Sequence, residues 1–587
     1  MKSNTFHILF FFAIFQLFSC KQKETDLLSF KTNVLQSETL SIDQKVAKLL
    51  DQMTLEEKIG QMNQYNGFWD FTGPAPKAGE AAKKMENLKK GWVGSMLNVR
   101  GVKDVRAVQK IAVEQSRLGI PLIIGFDVIH GYKTISPIPL AEAASWDLEA
   151  IKSSAEIAAL EASAAGINWT FAPMVDISRD ARWGRVMEGA GEDPYLGSKI
   201  ATARVSGFQG SDLSDISTIV ACAKHFAAYG FAEAGRDYNT SDVGSSTLHN
   251  IILPPFKAAN DAGVRTFMNS FNDLNGIPAT GDRYLQRTVL KERWDFDGFV
   301  VSDWGSMVEM IAHGYAKDGN HAAELSVNAG SDMDMESHLY VKELASLVKE
   351  GKVDIALIND AASRILKVKF ELGLFDNPYK YCDEAREASV IGSEKNNSKV
   401  LDVAKKSIVL LKNQNNVLPL AKKGQNIAVI GALASDKTSP LGNWRLAADD
   451  NSAVSLLEGL NAYKGNTITY AKGADVVTGK TVFISELTIN TTDTSGFKEA
   501  IALAKKSDVV IMALGEHGLH SGEGRSRAYL GLPGVQQELL EAVFAVNNNI
   551  VLVLSNGRPL TIPWAAQNIP TILEGWHLGT QSGNALA

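Results

Sequence analysis

Phe296–Trp304 has the sequence FDGFVVSDW, a short apolar run that ends directly in a carboxylate and an indole. Residues 299–301 predict a buried strand. A buried carboxylate such as that of Asp303 costs free energy unless it is paired or functional. Because α/β barrels carry catalytic groups at the carboxyl ends of their strands, the stretch predicts one strand of such a barrel. The alternative interpretation is that Asp303 only caps a following helix.

Similar apolar runs recur before this stretch, separated by segments rich in Ala, Glu and Leu. They are residues 94–97, 121–127, 167–172, 218–223 and 266–269. Strands that alternate with helices predict parallel pairing. Residues 41–375 therefore predict an N-terminal (β/α) TIM-like barrel. At its start, apolar spacing over residues 49–62 predicts a helix, with Thr54 and Glu57 placed as in a capping box.

Polar side chains follow several of the predicted strands. They are Asp127, residues 176–185, Lys224, His225, Asn269 and Asp303. In a barrel the strand ends meet on one face, so these side chains are expected to converge there. A set of unrelated helix caps would not mix carboxylates, Arg, Lys and His in this way. A carboxylate beside an indole also suits a sugar site, because an indole stacks on apolar sugar faces.

A second α/β unit is predicted over residues 401–587, after a polar linker at residues 376–400. Its strand-like runs are residues 427–431, 509–514, 550–554 and 571–573. Helices between such strands predict an α/β (αβα) sandwich. The segment after the first run lacks the G-x-G-x-x-G motif, which argues against a dinucleotide site. The final residues predict a helix start without a closing signal, so this domain is expected to be incomplete at its C-terminus.

Composition excludes several classes of protein. The 587 residues are 45% hydrophobic and 21% charged, with a net charge of −7 and a pI near 5.9. No basic stripe occurs, which argues against a nucleic-acid partner. Three cysteines are too few for a disulfide scaffold, and no metal-ligand spacing is present. Cys222 is expected to be a buried free thiol, and nothing supports a disulfide with Cys382.

The N-terminus predicts export. Lys2 precedes an apolar run at residues 6–18 that is too short to span a bilayer comfortably. Residues 17–20, LFSC, resemble a bacterial lipoprotein signal in which Cys20 receives the lipid. We therefore predict a signal at residues 1–20, a tether at residues 21–40, and a periplasmic or outer-membrane-anchored bacterial lipoprotein. In the alternative interpretation the signal is a plain secretory one and Cys20 is incidental.

Several long motifs resemble family three glycoside hydrolases, in particular the bacterial periplasmic β-glucosidase type. They are VVSDW at residues 300–304, GFDVIHG at 125–131, APMVD at 172–176, RDARWGR at 179–185 and KHF at 224–226. The resemblance runs from about residue 41 to the end of the chain. It implies a retaining glycosidase with two α/β domains, no cofactor and no metal.

The same resemblance implies roles for individual residues. Asp303 matches the nucleophile, which attacks the anomeric carbon. The matching substrate-binding positions are Asp127, Arg185, Lys224, His225, Met268 and Trp304. Taken singly, Arg185 or Lys224 is more often a surface or ion-pair residue, and Trp304 has the alternative of a core aromatic.

The general acid/base is expected on a loop of the second domain. Two glutamates are candidates, Glu516 directly after the strand at residues 509–514 and Glu523 further along. Residues 523–527, followed by a proline, resemble the family's Glu-x-x-Ser-Arg run, so Glu523 is preferred over Glu516. The alternative for either is a solvated loop carboxylate.

Two departures narrow the resemblance. Many relatives carry Tyr where this chain has Phe271, so a hydrogen bond is either absent there or supplied by another group. The motif of the N-acetylglucosaminidase members after Lys224–Phe226 is also missing. The resulting hypothesis is an exo-acting β-glucosidase that acts on β-linked oligosaccharides. The alternatives are a β-xylosidase or related pentosidase, and a non-catalytic sugar-binding lipoprotein. A further alternative, a nucleotide-dependent enzyme, would need a Gly-rich phosphate-binding loop, and this sequence has none.

Overall fold

The computed structural model describes residues 34–35, 37, 39–67, 79–483 and 485–587. The predicted signal at residues 1–20, with Cys20, lies outside the described residues, and so does most of the predicted tether. No helix of the described part is long and apolar enough to cross a bilayer.

Among the described residues, eight short parallel strands form the N-terminal barrel. They are β1 (Asn63–Asn66), β2 (Ser95–Leu97), β3 (Ile123–Phe126), β4 (Trp169–Thr170), β5 (Cys222–Phe226), β6 (Thr266–Asn269), β7 (Phe299–Val301) and β8 (Asp334–Met335). Ladders join β8-β1-β2-β3-β4 and β5-β6-β7. Single bridges, Trp169 to Val220 and Val301 to Met333, join the two groups, so the strands close into a ring. Nearly all strand residues are buried, because side chains from neighbouring strands fill the barrel; polar residues such as Asn63, Gln64 and Asp334 are among them.

Helices cover the outside of the barrel and bury their apolar faces against it. They are Ile42–Gln52, Leu55–Gln61, Gly79–Lys90, Val102–Gln115, Pro139–Ala144, Leu148–Ala164, Pro194–Gln209, Ser245–Thr247, Leu253–Asp261, Ser306–Ala312, Gly319–Ala329, Leu339–Lys349 and Ile355–Glu371, with π-helices at Leu248–Ile252 and Tyr284–Arg293. Several begin at an aspartate whose carboxylate accepts a backbone N–H of the first turn, as Asp147 and Asp354 do.

The predicted helix over residues 49–62 is two helices in the structure. The first ends at Gln52, and the second runs from Leu55 to Gln61. The capping box of Thr54 and Glu57 is present, and it begins the second helix. The prediction of one helix was wrong because the apolar spacing continues across a cap that starts a new helix.

Two helices occupy most of the segment between the domains. Glu384–Val390 and Glu394–Ser407 lie where we predicted a polar linker, and the second packs on the barrel helix Leu148–Ala164 and on Ser582–Leu586. The Asn396 side chain donates a hydrogen bond to the buried carboxylate of Glu161, 2.9 Å away. The connection is therefore folded against both domains.

In the part of the second domain that the structure describes, a six-stranded sheet lies at the centre. Its strands are β9 (Val409–Asn413), β10 (Asn426–Ile430), β11 (Thr467–Ala471), β12 (Val509–Gly515), β13 (Ile550–Ser555) and β14 (Thr571–Glu574), in the order β9-β14-β13-β12-β10-β11. All pairs are parallel except β9 with β14. The helices are Leu456–Asn461, Phe497–Lys505, Gln536–Phe544, Pro563–Asn568 and Ser582–Leu586. Apolar clusters lie on both faces of the sheet, as in an α/β sandwich.

The order of the strands reverses between β10 and β12, because the chain leaves β10 toward one edge and returns on the other side of it. Ligand-binding loops of open α/β sheets leave the carboxyl ends of strands at such a point. Here these loops meet the barrel. The main-chain N–H of Gly522, on the loop after β12, donates to the carbonyl of Gly184 at 2.7 Å. The sandwich therefore adds residues to the open face of the barrel.

Candidate active site

The predicted polar residues lie together at the carboxyl ends of the barrel strands. Asp127 follows β3 directly, Lys224 and His225 lie in the last three residues of β5, and Asp303 lies two residues beyond β7. Arg185 lies on the short 3₁₀ helix Gly184–Glu188, in the long connection after β4. The expected convergence on one face of the barrel is therefore present.

Asp303 has one oxygen that is held and one that is free. The backbone N–H of Trp304 donates to Oδ1 of Asp303 at 2.7 Å. The backbone N–H of Asp303 donates to Oδ1 of Asn269 at 3.3 Å. Oδ2 of Asp303 has no hydrogen-bond partner among the described residues. Burial raises the pKa of Asp303 to about 7, although Arg185 and Lys224 favour the ionised form. Oδ2 is therefore placed to react while the carboxylate keeps a fixed orientation.

His225 lies beside this free oxygen, with its Nε2 3.8 Å from Asp303 Oδ2. Its Nδ1 and its backbone N–H both lie 2.9 Å from Oδ2 of Asp176. Burial holds the pKa of His225 well below its usual range, so the ring is neutral. With Nδ1 donating to the Asp176 carboxylate, Nε2 carries a lone pair that can accept a sugar hydroxyl.

Asp127 and Lys224 form a second pair, with 3.6 Å between Oδ1 and Nζ. Lys224 is buried, and its ammonium lies over the Trp444 ring at 5.3 Å from the centroid. Burial raises the pKa of Asp127, and Lys224 opposes this shift. A carboxylate next to an ammonium group can hold a diol, because one accepts and the other donates hydrogen bonds.

Arg185 is fixed by a buried ion pair with Glu188, one helical turn later. Its Nε and Nη2 donate to the two carboxylate oxygens at 2.7 and 3.2 Å. Its remaining nitrogen, Nη1, lies 3.6 Å from Oε1 of Glu523. The fixed geometry of the guanidinium group therefore joins the barrel to the loop of the sandwich domain.

Two residues of the sandwich domain complete the site, and both lie on loops that leave the sheet where its order reverses. Trp444 lies beyond β10, and its Nε1 donates to Glu188 at 2.6 Å. Glu523 lies beyond β12, and Tyr238 of the barrel donates to it at 2.6 Å. The Glu523 carboxylate also raises the pKa of Asp303, so the second domain contributes to the electrostatics of this site.

Glu516, the other predicted acid/base candidate, is fully buried in an ion-pair cluster. Its Oε1 lies 2.5 Å from Arg527 and 3.0 Å from Arg558. The backbone N–H of Gly557 donates to its Oε2 at 3.1 Å. Although burial acts against the charge, the two guanidinium groups lower the pKa of Glu516 to about 2. A carboxylate that stays ionised in this way cannot deliver a proton near neutral pH.

The remaining predicted residues differ in their surroundings. Trp304, the residue after Asp303, is 43% exposed, so it is not a core aromatic. Met268, on β6, is buried and belongs to an apolar cluster of the barrel. Phe271, which lacks the tyrosine hydroxyl, lies edge-on to Tyr238 with 5.0 Å between the ring centroids.

Sequence reasoning did not identify Glu188, Tyr238 or Trp444 as site residues. Glu188 follows Arg185 by three residues, a spacing that places two side chains on one helical face. No comparable signal marks Tyr238 or Trp444, because they reach the site only through the packing of the two domains. Cys222 and Cys382 are buried free thiols, as expected for Cys222. Within the described ranges, no cluster of three or more His, Cys, Asp or Glu side chains is arranged to hold a metal ion.

Family models match nearly the whole described chain. The model for the glycosyl hydrolase family 3 N terminal domain matches residues 54–368, and that for the glycosyl hydrolase family 3 C-terminal domain matches residues 408–587. The first match corresponds to the barrel, and the second to the sandwich.

Individual relatives match at moderate identity. The periplasmic beta-glucosidase of Salmonella typhimurium is 40% identical over 558 aligned residues, which cover 93% of this chain and 72% of that protein. A beta-xylosidase of Formosa agariphila is 35% identical over 588 aligned residues, covering 96% and 74%. Among solved structures, a mutant beta-glucosidase from Listeria innocua in complex with laminaribiose has a TM-score of 0.86 at 36% identity, covering 92% of this chain and 74% of that one.

Proposed function

The chain belongs to glycosyl hydrolase family 3, and on this basis we propose that it is a retaining, exo-acting β-glucosidase. It would remove terminal non-reducing β-D-glucosyl residues from oligosaccharides. The observation that carries the proposal is Oδ2 of buried Asp303, which has no hydrogen-bond partner among the described residues and lies next to the neutral His225. The charge of Glu523, from the other domain, raises the pKa of this carboxyl group.

The proposed mechanism has two displacements. Oδ2 of Asp303 attacks the anomeric carbon as the glycosidic bond breaks, and Glu523 gives its proton to the departing oxygen. Glu523 then removes a proton from water, whose oxygen displaces Asp303 and releases the sugar. Asp127, Lys224, His225 and Arg185 hold sugar hydroxyls during both steps, while Met268 and Trp304 form apolar walls.

The stereochemistry of the first product tests this proposal. A double displacement retains configuration, so NMR should detect the β anomer of the sugar before mutarotation. Appearance of the α anomer first would rule out the mechanism. Absence of turnover with any chromogenic β-glycoside would instead favour the non-catalytic sugar-binding lipoprotein.

A β-xylosidase is the second candidate, because a relative of that name is 35% identical over most of the chain. Xylose differs from glucose by the missing hydroxymethyl group at C5. Comparing kcat/KM for 4-nitrophenyl β-glucoside and β-xyloside decides between the two. The solved relative that holds laminaribiose makes this disaccharide the natural first substrate to add to the panel.

Replacing Asp127 tests the sugar-binding role. Asp127→Asn keeps one acceptor but loses the charge beside Lys224, so kcat/KM should fall about 10- to 100-fold. Asp449→Asn is the matched control, because Asp449 pairs with Lys133 at 2.9 Å on an exposed surface. Unchanged kinetics of the Asp127 variant would remove this residue from the binding site.

Localisation follows from the predicted signal. We propose that the protein is exported and anchored through a lipid on Cys20, and one relative is a periplasmic enzyme. Cys20→Ala should then move the protein from the membrane fraction to the soluble fraction, as followed by fractionation and immunoblotting. Wild-type protein that is already soluble after export would indicate a plain secretory signal.

A further inference from the structure

The hydroxyl of Tyr238 meets the proposed acid/base across the boundary between the domains. It donates a hydrogen bond to Oε1 of Glu523 at 2.6 Å. The backbone N–H of Tyr238 donates to the Tyr229 hydroxyl at 3.2 Å, and its ring packs edge-on against buried Phe271. The side chain is 44% exposed, yet these contacts hold its hydroxyl in one place.

The residue before it holds the same loop. Oδ2 of Asp237 accepts the backbone N–H of Gly524 at 2.6 Å, and its Oδ1 accepts the indole N–H of Trp183 at 2.7 Å. Two consecutive residues of the barrel thus bind two consecutive residues of the sandwich loop. This arrangement sets both the path of the loop and the rotation of the Glu523 carboxyl group.

The contacts of Glu523 fall on one of its two oxygens. Tyr238 donates to Oε1, and Arg185 Nη1 lies 3.6 Å from the same atom. Oε1 thus accepts the Tyr238 hydroxyl and faces the Arg185 guanidinium group as an ion pair. It is a poor site for a proton, because a hydrogen on Oε1 would point at the Tyr238 hydroxyl hydrogen and at a positive charge. The transferable proton therefore belongs on Oε2.

We propose that Tyr238 is a positioning residue that keeps Oε1 of Glu523 as an acceptor and so directs the catalytic proton from Oε2. The inference rests on the proposed acid/base role of Glu523. In the first step the Oε2 proton passes to the glycosidic oxygen as its bond to the anomeric carbon breaks and the bond to Asp303 forms. In the second, Oε2 takes a proton from the water that displaces Asp303.

Tyr238 itself keeps its proton in both steps. Burial and the adjacent Glu523 raise the pKa of Tyr238 above its usual range. The phenol is therefore a permanent donor. It also provides a hydroxyl next to Phe271, the position at which we expected a hydrogen bond to be either absent or supplied by another group.

Tyr238→Phe tests the inference, since it removes the hydroxyl and retains the ring. The assay is kcat/KM for a series of aryl β-glucosides with leaving phenols of increasing pKa, together with laminaribiose. A mispositioned acid should lower kcat/KM about 10- to 100-fold for poor leaving groups and leave the dinitrophenyl glucoside nearly unchanged. The slope of log kcat/KM against leaving-group pKa is compared within one preparation, so it does not depend on the fraction of active protein.

Tyr284→Phe is the matched control, because the Tyr284 hydroxyl also hydrogen-bonds a side chain, His249, at 2.9 Å on the barrel surface. Its slope should equal that of wild type. An equal loss on every substrate, or no loss, in Tyr238→Phe would overturn the inference. If Glu523→Ala shows the leaving-group dependence and Tyr238→Phe does not, only the role of Tyr238 fails. If Glu523→Ala lacks that dependence, the proposed acid/base itself fails.

Discussion

Asp303→Ala is expected to lower kcat by about 10⁴- to 10⁶-fold, the largest effect of any single substitution in the chain. The substitution removes the atom that forms the covalent intermediate, while the sugar-binding residues remain. Added azide should restore part of the activity on a dinitrophenyl glucoside and yield the α-glucosyl azide, because the anion enters from the face that Asp303 occupied. Steady-state kinetics and NMR of the product measure both effects.

Asp303→Asn separates chemistry from stability. Burial raises the pKa of Asp303 to about 7, so its charged form is disfavoured in the folded protein. The resulting loss of folding stability begins as the pH rises above the pKa that this carboxyl group has in the unfolded chain, and it is complete above pH 7. The Asn variant should therefore melt at or above the wild-type temperature at pH 8, yet be inactive. A folded variant with near-normal activity would assign the nucleophile elsewhere.

Glu523→Ala is expected to have the second largest effect, and its size should depend on the leaving group. Hydrolysis of a β-linked disaccharide should fall by several orders of magnitude, since an alkoxide cannot leave without a proton. A dinitrophenolate needs none, so the first step should stay fast and the glycosyl-enzyme should accumulate. Azide attacks this intermediate without a base, and it should yield the β-glucosyl azide, the opposite anomer from that of the Asp303 variant.

Glu516→Gln is the control for this prediction. The charge of Glu516 pairs with Arg527 and Arg558, so the variant should lose stability and show neither azide rescue nor leaving-group dependence. Because the pKa of Glu516 is lowered to about 2, its stabilising contribution is present above the unfolded pKa and is lost as the pH falls toward 2. The stability difference from wild type should shrink over that range. Azide rescue of the Glu516 variant alone would exchange the two roles.

The sequence predicts those parts of the protein that depend on nearby residues. Asp127 and Asp303 follow apolar runs. Such a run indicates a buried strand, and the carboxylate at its end indicates the face of the barrel at which the strand ends. The barrel and the sandwich were predicted from the alternation of such apolar runs with helices, and both are present. Strand ends were less accurate: the run at residues 218–223 predicts a strand that the structure places at Cys222–Phe226.

Features that depend on the packing of distant segments could not be predicted. Trp444 and Glu188 are 256 positions apart, and only the docking of the domains brings them within a hydrogen bond. Tyr238 and Glu523 are likewise separated by 285 positions. The polar composition of the predicted linker belongs to the exposed faces of two helices. A polar composition indicates only that a segment is exposed to solvent. It does not distinguish a loop from a helix that lies on the surface.

The contact between Gly184 and Gly522 lies where the two domains meet, and each domain has its own part in the proposed mechanism. A Cβ on Gly184 would lie 2.1 Å from the Gly522 carbonyl oxygen, so no other residue fits without moving the loop. In the proposed mechanism the barrel has the nucleophile and the groups that hold sugar hydroxyls, whereas the sandwich provides Glu523 and with it the proton that a natural leaving group needs. Recognition and release are thus separable in the proposed mechanism. The Gly184–Gly522 hydrogen bond is one of several contacts that join the domains, together with those of Asp237 to Gly524 and Tyr238 to Glu523. A change at Gly184 is therefore expected to alter turnover rather than the choice of sugar.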